Sequence, residues 1–357
     1  MRQNALFIRF INNGKSILQF SLVGNRVIIF KPLKFNPMNQ WICNQPGKIC
    51  IQEAEIPLCA PGFSLLRVLS IGICGTDIHA FAGAQPYFNY PRILGHELAV
   101  EIIESNTFIQ GQLATIIPYF NCENCHACSA EKSNCCEKIQ VFGVHIDGGM
   151  REYIIIEDRY VIQGRGLSAD ELVLVEPFSI AAHGLRRAGL KLGDKVLVLG
   201  AGPIGLFTIL LAKIQGAIVE VAEPNTARLQ FCIDKIGVKE VLSNSFDIVI
   251  DATGNRSAIN SGFTKMAHGG KYVLIGLQKE PITFSHPEFH KREGTLMSSR
   301  NATIEDFNYV MKLFRDGVIK AETFISKRFK RNEITDIFLK INESSSVIVK
   351  SIIDLSQ

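Results

Sequence analysis

The stretch Asp194–Pro224, DKVLVLGAGPIGLFTILLAKIQGAIVEVAEP, decides the fold. Val196–Leu199 is a continuous apolar run of the kind buried in a parallel sheet. Gly200, Gly202 and Gly205 follow as G-x-G-x-x-G; Leu206–Gln215 then reads as a helix and Ala217–Val221 as a second strand. Each glycine has a physical role. Together they allow a tight turn, close approach of backbone to a pyrophosphate, and close packing of helix on strand. Phosphates sit at such a helix N-terminus because its amide donors lack partners. Glu223 ends the second strand, 18 positions after Gly205. A carboxylate there accepts from ribose hydroxyls and repels a 2′-phosphate, which favours NAD over NADP. Alone, the glycine pattern is weak, and an ordinary turn in an α/β domain is the bland reading. Strand, turn, helix, strand and acid in this order make it a dinucleotide site.

N-terminal to this unit, Asn121–Cys136 reads NCENCHACSAEKSNCC. Cys122, Cys125, Cys128 and Cys136 are spaced C-x2-C-x2-C-x7-C. Short loops let four thiolates converge on one tetrahedral ion, and with sulfur at all four positions no place is left for water. That is a structural zinc site. Cys135 is the spare thiol, and the spacing selects Cys136 over it. An iron–sulfur cluster uses similar spacings, and a DNA-binding finger would want a basic helix after the cluster, which is missing here.

A second constellation lies earlier. GICGTDIHAF holds Cys74, Thr76, Asp77 and His79; PRILGHELAV holds His96 and Glu97; VEPFSIAAHG holds Glu176. A thiolate, an imidazole and carboxylates suit a zinc with an open or exchangeable position, where a substrate oxygen can bind. Taken singly, Cys74 is more often a small buried hydrophobe, and His96 a hydrogen-bonded core residue. The combination with the other two motifs is what turns them into ligands.

Composition bounds the rest. The chain has 357 residues, 47% of them hydrophobic, enough for two domains. No apolar run reaches the ~18 residues of a membrane helix, so no membrane association is expected. Ten cysteines clustered in an enzyme-sized chain suggest a reducing, cytoplasmic setting. The net charge of +4 invites a nucleic-acid reading. However, residues 1–37 carry six basic side chains and no acidic one, leaving 32 basic against 34 acidic in the body. The body therefore has no footprint for a polyanion, and no nucleic-acid partner is expected. Asn12, Asn13, Gly14 and Lys15 interrupt any signal-peptide core in the leader. Residues 1–37 read as an extension outside the native fold, with Met38 as the natural start.

Taken together, the motifs resemble the zinc-dependent medium-chain alcohol and polyol dehydrogenases, from about Met38 to the end. At GICGTDIHAF, YPRILGHE, NCCEKIQVFGVHIDGG, DATGN, PEFHK and SRNATIEDF the chain is similar to the bacterial sugar-acid branch of that family. The resemblance implies a catalytic zinc held by Cys74, His96 and either Glu97 or Glu176, the two glutamates possible exchange partners with water. It implies a structural zinc on Cys122, Cys125, Cys128 and Cys136, and NAD on Gly200, Gly202, Gly205 and Glu223. Thr76 would touch the substrate hydroxyl, His79 would pass its proton to solvent, and Asp77 would orient a ligand from behind. Arg300 falls where the polyol branch places an arginine near substrate and nicotinamide. Zinc lowers the pKa of an alcohol it polarises, and the nicotinamide takes the hydride. The expected substrate is a hexonate, L-galactonate-like, whose carboxylate wants a cation; Arg300, Lys291, His290 and His145 are the candidates. Polyol- or sorbitol-type and threonine-type dehydrogenases are the alternatives, and a homo-oligomer, dimer or tetramer, is expected.

The expected architecture is α/β: a GroES-like β-barrel catalytic domain of residues 38–180 and 300–357, and a doubly wound Rossmann domain of residues 181–299. The active site should lie between them. Phe307, Val310, Met311 and Phe314 share one face of a helix after Arg300. Two stretches depart from the family pattern. LAVEIIESNTFIQGQLATII lacks its usual glycines, and GVKEVLSNSFDIVIDATGN leaves only three residues between EVLS and DIVIDATG. A parallel crossover needs a dozen or more. The third strand of the cofactor sheet should therefore be lost or short. If the cofactor side is broken by this, the alternative of another class is a catalytically impaired zinc- and dinucleotide-binding protein.

Overall fold

The apolar run at Val196 becomes the centre of a parallel sheet. The structure, a computed structural model, describes residues 7–12, 16–23, 26–29, 37–86, 88–342 and 349–356, the first three segments and Asn342 by backbone alone. Six parallel strands lie in the order Lys239–Glu240, Ile218–Ala222, Lys195–Leu199, Phe246–Asp251, Met266–Leu274, Thr295–Ser298. The strand order reverses beside Lys195–Leu199, and ligands of open α/β sheets bind at such a switch point. The helix after the glycine turn is Pro203–Ile214, starting earlier than Leu206, with Gly202 as its N-cap. Pro203 can open it because the first helical N–H has no partner to lose.

The third strand is reduced to Lys239–Glu240, and five residues, Val241–Ser245, replace the crossover helix. Physical repair of this gap comes from Glu220. It is the cross-strand partner of Leu197, so its side chain lies on the face that a crossover helix would cover. Its carboxylate accepts from Leu242 N at 2.7 Å, Ser243 N at 3.0 Å and Ser243 Oγ at 2.5 Å. Burial pushes its pKa up, but these donors outweigh burial and hold it below the usual range. The connection is thus tied down by hydrogen bonds where packing is missing, and Leu242 stays 81% exposed.

The catalytic part is a seven-stranded sheet with a smaller three-stranded sheet beside it. Strand Phe63–Gly72 is its hub, pairing with Glu97–Ser105, Tyr153–Glu157 and Lys350–Asp354. The last of these brings the C-terminal end of the chain back antiparallel to the segment leading into Cys74, and Ile73 N donates to Ser351 O at 2.9 Å.

Helix Ala169–Ala188 joins the two parts and crosses the 180/181 division expected from sequence. Ser168 and Glu171 form a capping box at its start, and left-handed Gly189 ends it. Phe178 on this helix stacks on Phe207 of Pro203–Ile214 with ring centroids 3.9 Å apart, and both meet Phe324 edge-on. Such aromatic pairs add about 0.5–1.5 kcal/mol each beyond area burial, and here they lock the cofactor helix to the catalytic part. Helix Ile304–Arg315 buries Phe307, Val310, Met311 and Phe314, as its spacing indicated.

Of the leader, strands Phe7–Asn12, Ser16–Val23 and Arg26–Ile29 form a separate three-stranded antiparallel sheet. Pro37 opens strand Pro37–Gln45 of the catalytic part; the leader's remaining residues, and the side chains of its three strands, lie outside the described part. Among the described residues, no helix is long and apolar enough to cross a membrane.

Candidate active site

Short helix Gly75–Phe81 follows directly on the hub strand, so Cys74, its N-cap, sits at the strand's end. His96 immediately precedes, and Glu97 opens, the neighbouring strand Glu97–Ser105, with Glu97 paired to Gly72. Ligand atoms of Cys74, His96 and Glu97 lie within 4.8 Å of one another. Gly72 is required by this arrangement: a Cβ there would come 2.1 Å from Glu97 Oε2.

Asp77 holds the two segments together. Fully buried, it accepts from Cys74 N at 2.9 Å and Gly95 N at 3.2 Å, thereby fixing the backbone beside both ligands. Its Oδ1 stands 3.8 Å from His96 Nδ1, too far for a hydrogen bond but aimed at that ring. Burial raises its pKa, against the pull of His96 and of the two amides. On His96, burial opposes charge, but Asp77, Cys74 and Glu176 outweigh it and raise the pKa well above the usual value. Binding of a metal requires that proton to leave.

The two glutamates separate. Glu97 belongs to the metal-sized group, whereas Glu176 does not; Glu176 Oε1 instead accepts from the buried Tyr119 hydroxyl. Burial, with Glu97 nearby, pushes Glu176 up to about 7 against the pull of His96. Burial and the Glu176 charge raise Tyr119 well above its usual value. Glu97 is held by a residue that sequence reasoning missed. Lys350, 2% exposed on the C-terminal strand, donates to Glu97 Oε1 at 2.5 Å and to Ile73 O at 3.1 Å. A lone lysine in the apolar run SVIVKSII was the available signal.

This set fits zinc. Sulfur, nitrogen and oxygen donors converge, which is a catalytic rather than a structural donor set. Glu97 Oε2 and His96 Nδ1 are buried with no hydrogen-bond partner, and such atoms are costly unless something satisfies them. Glu97, Cys74 and Glu176 gather around the buried Lys350, and Asp77 lies beside His96 and Glu97.

The second cluster also forms. The sulfurs of Cys122, Cys125, Cys128 and Cys136 lie within 4.8 Å of one another, while Cys135 is exposed and outside the group. Backbone amides point at the thiols: Cys122 N donates to Cys136 Sγ at 3.2 Å. Hydrogen bonds from the backbone at Glu137 and Cys128 lower Cys125 to about 6, so that it is ready to ligate as thiolate. All ten cysteines are free of disulfides.

At the glycine turn, a Cβ on Gly205 would sit 2.0 Å from Gly200 O, while one on Gly202 would meet nothing within 4 Å. Gly205 therefore serves packing, and the space beside Gly202 is open. Glu223 accepts from Ala201 N at 2.7 Å and Asn225 N at 2.8 Å, which ties the glycine turn to the end of the second strand. A cavity of about 510 Å³ opens past the C-terminal ends of the next two strands, lined by Gly254, Asn255, Arg256 and Lys279 among others. Lys279 Nζ also donates to Ala84 O, bridging from the cofactor domain to the loop beyond helix Gly75–Phe81.

Thr76 and His79 lie one turn apart on helix Gly75–Phe81; neither is buried, and His79 is the more exposed of the two. Arg300 is exposed, and it lies close enough to His145 to lower the latter's pKa, after burial and together with Arg92. On helix His286–Lys291, His290 and Lys291 are exposed. Among the described residues no hydrogen bond or ion pair joins either to Arg300 or to the Cys74 group.

A metal-binding thiolate–imidazole–carboxylate centre beside a glycine-turn sheet defines a zinc- and nicotinamide-dependent oxidoreductase acting on CH–OH groups. The chain belongs to the zinc-type medium-chain alcohol dehydrogenase family: residues 60–166 match the alcohol dehydrogenase GroES-like domain, and residues 203–316 match the zinc-binding dehydrogenase domain. It is 40% identical to L-galactonate-5-dehydrogenase of Escherichia coli K12, over 88% of this chain and 98% of that protein. It is 28% identical to 2-dehydro-3-deoxy-L-galactonate 5-dehydrogenase of Pseudoalteromonas atlantica, over 80% of this chain and 89% of that one. Among solved structures, the rspB alcohol dehydrogenase of E. coli CFT073, complexed with NADH, superposes with a TM-score of 0.83 at 27% identity, covering 89% of this chain and 99% of that one.

Proposed function

We propose that this protein oxidises a secondary hydroxyl of a sugar acid, an L-galactonate-like hexonate, and delivers the hydride to NAD. The observation that carries the reading is the buried Cys74–His96–Glu97 group with its unpartnered Glu97 oxygen, in a chain 40% identical to an L-galactonate-5-dehydrogenase. Bound there, zinc supplies Lewis acidity that lowers the pKa of the substrate hydroxyl. The chain does the remainder. Cys74, His96 and Glu97 hold the metal, and Asp77 fixes the backbone at Cys74 and at Gly95, the neighbour of His96. Lys350 aims Glu97 by occupying its other oxygen. The Thr76 hydroxyl accepts the substrate proton and hands it toward His79, whose ring releases it to water. Gly200, Gly202 and Gly205 let the pyrophosphate approach, and Glu223 accepts from the adenosine ribose and repels a 2′-phosphate. Arg300, with His145 beside it, takes the carboxylate of the substrate.

The free cysteines fit a cytoplasmic enzyme, and a homo-oligomer is part of the proposal. Residues 1–37 are proposed to be dispensable. The impaired-binder alternative draws on the two-residue third strand; the Glu220 clamp and the intact glycine turn speak against it. The test is NADH formation by zinc-loaded protein beginning at Met38, against hexonates and neutral polyols, with Cys74→Ser as control. Hexonate turnover absent from the control supports the reading. Turnover of neutral polyols alone discards the carboxylate site, and folded protein that binds no NAD discards the enzyme.

A further inference from the structure

The turn Ser133–Cys135 inside the four-cysteine lobe presents Asn134 inward, 5% exposed. Its Nδ2 donates to Arg300 O at 3.0 Å and faces His183 Nε2 at 3.1 Å. In return, Asn301 Nδ2 donates to Asn134 O at 3.0 Å. These reciprocal bonds join the lobe to the segment that leaves the cofactor sheet, across more than 160 residues of sequence. Asn301 has φ of 56°, a left-handed backbone that asparagine tolerates better than most residues, so the chain turns sharply just after Arg300.

The other side of this contact is equally fixed. His183 Nδ1 lies 2.8 Å from Asp306 Oδ2, and Arg186 Nε donates to Asp306 Oδ1 at 2.8 Å. Burial opposes the charge on Asp306, but His183, Arg186 and Thr303 N hold its pKa well below the carboxylate range, so it is ionised. An ionised Asp306 accepts a hydrogen bond from His183 Nδ1–H, which leaves Nε2 as an acceptor for the second amide hydrogen of Asn134. Both hydrogens of the Asn134 amide nitrogen are therefore committed. The same lobe segment runs on through strand Gln140–Val141 into His145, whose Nδ1 accepts from Val141 N at 2.9 Å. His145 in turn lies within the field of Arg300. Both groups assigned to the substrate carboxylate thus depend on one segment, His145 by continuity and Arg300 through Asn134.

We propose that Asn134 is a positioning residue for Arg300, and that the four-cysteine lobe is the scaffold of the carboxylate subsite as well as a stabilising element. This rests on the reading of Arg300 as the carboxylate partner. The experiment compares L-galactonate with its neutral alditol in the zinc-loaded enzyme. Variants are Asn134→Ala, Arg300→Met and the double variant, with zinc content and melting temperature recorded for each. Asn301→Gly keeps the left-handed backbone while removing the return bond, and it serves if Asn134→Ala does not fold.

Expected are two zinc ions per chain in every variant. Asn134→Ala should raise KM for L-galactonate about tenfold, the cost of one buried hydrogen bond, with kcat and the alditol KM within about twofold. Arg300→Met should do the same or more, and the double variant should be no worse than Arg300→Met alone. Additive effects, or equal loss on both substrates, overturn the positioning role while leaving Arg300 in place. If Arg300→Met fails to discriminate acid from alditol, or the unaltered enzyme does not prefer the acid, the carboxylate reading falls and this proposal falls with it.

Discussion

Replacing Lys350 by methionine is the sharpest test of how the metal site is built. The ammonium is buried and has two acceptors, Glu97 Oε1 at 2.5 Å and Ile73 O at 3.1 Å. Methionine fills much the same volume but leaves the Glu97 carboxylate buried without a cation and Ile73 O without this donor. Breaking a buried pair from one side costs about 3–5 kcal/mol, against a total stability of about 5–15 kcal/mol. Burial disfavours the charge on Lys350, yet Glu97 and Cys74 outweigh it and raise its pKa. A raised lysine pKa contributes fully below the unfolded value near ~10.4, so neutral pH reads the whole effect. The assay is urea unfolding of chelator-treated protein followed by fluorescence. Trp41, the only tryptophan, is 2% exposed in the catalytic part and reports on that part. The double variant Lys350→Met/Glu97→Gln removes the stranded charge and should recover most of the loss. A cost below about 1 kcal/mol, or no coupling between the two positions, would refute the claim that Lys350 holds Glu97.

Gly72→Ala should displace Glu97, because the new Cβ would lie 2.1 Å from its Oε2; metal analysis should then find one zinc per chain instead of two, and two retained would contradict the packing argument. Asp306→Asn should cost about 2–3 kcal/mol at pH 7 by removing a charged acceptor. The folded pKa of Asp306 is depressed, so its contribution is present above the unfolded value near ~3.9 and lost as pH falls through and below it. The gap in melting temperature from the unaltered protein should narrow as pH falls through and below that value, and a gap constant across that range would rule this out. Glu220→Ala should loosen the Val241–Ser245 connection, cost about 1–2 kcal/mol and weaken NAD binding by calorimetry; unchanged stability would mean the clamp is incidental.

Those predictions separate what local pattern could reveal from what it could not. The glycine turn and the four-cysteine spacing are local signals; the structure turns tightly at the glycines and brings Cys122, Cys125, Cys128 and Cys136 together, and it also brings Cys74 to His96. The helix face of Phe307, Val310, Met311 and Phe314 was legible for the same reason, as a period of 3.6. The short link before Asp247 foretold a reduced third strand, since chain length is a local quantity too. The choice between Glu97 and Glu176 was not legible. It depends on Lys350 and Tyr119, which reach the site only through strand pairings distant in sequence. Asn134, His183 and Asp306 were invisible for the same reason: their contact spans three separate segments, and each residue alone reads as an ordinary polar side chain. Glu220 reads from sequence as the polar residue of an alternating strand, and only the missing helix gives it a structural role.

The most direct test of the central claim follows the hydride itself. Zinc-loaded enzyme would be given L-galactonate carrying deuterium at C5, together with NAD, and the NADH formed would be examined by mass spectrometry. One deuterium per NADH is predicted, with no NADH formed by Cys74→Ser. NADH without deuterium would place the oxidation at another carbon, and no NADH from any hexonate would contradict the sugar-acid dehydrogenase outright.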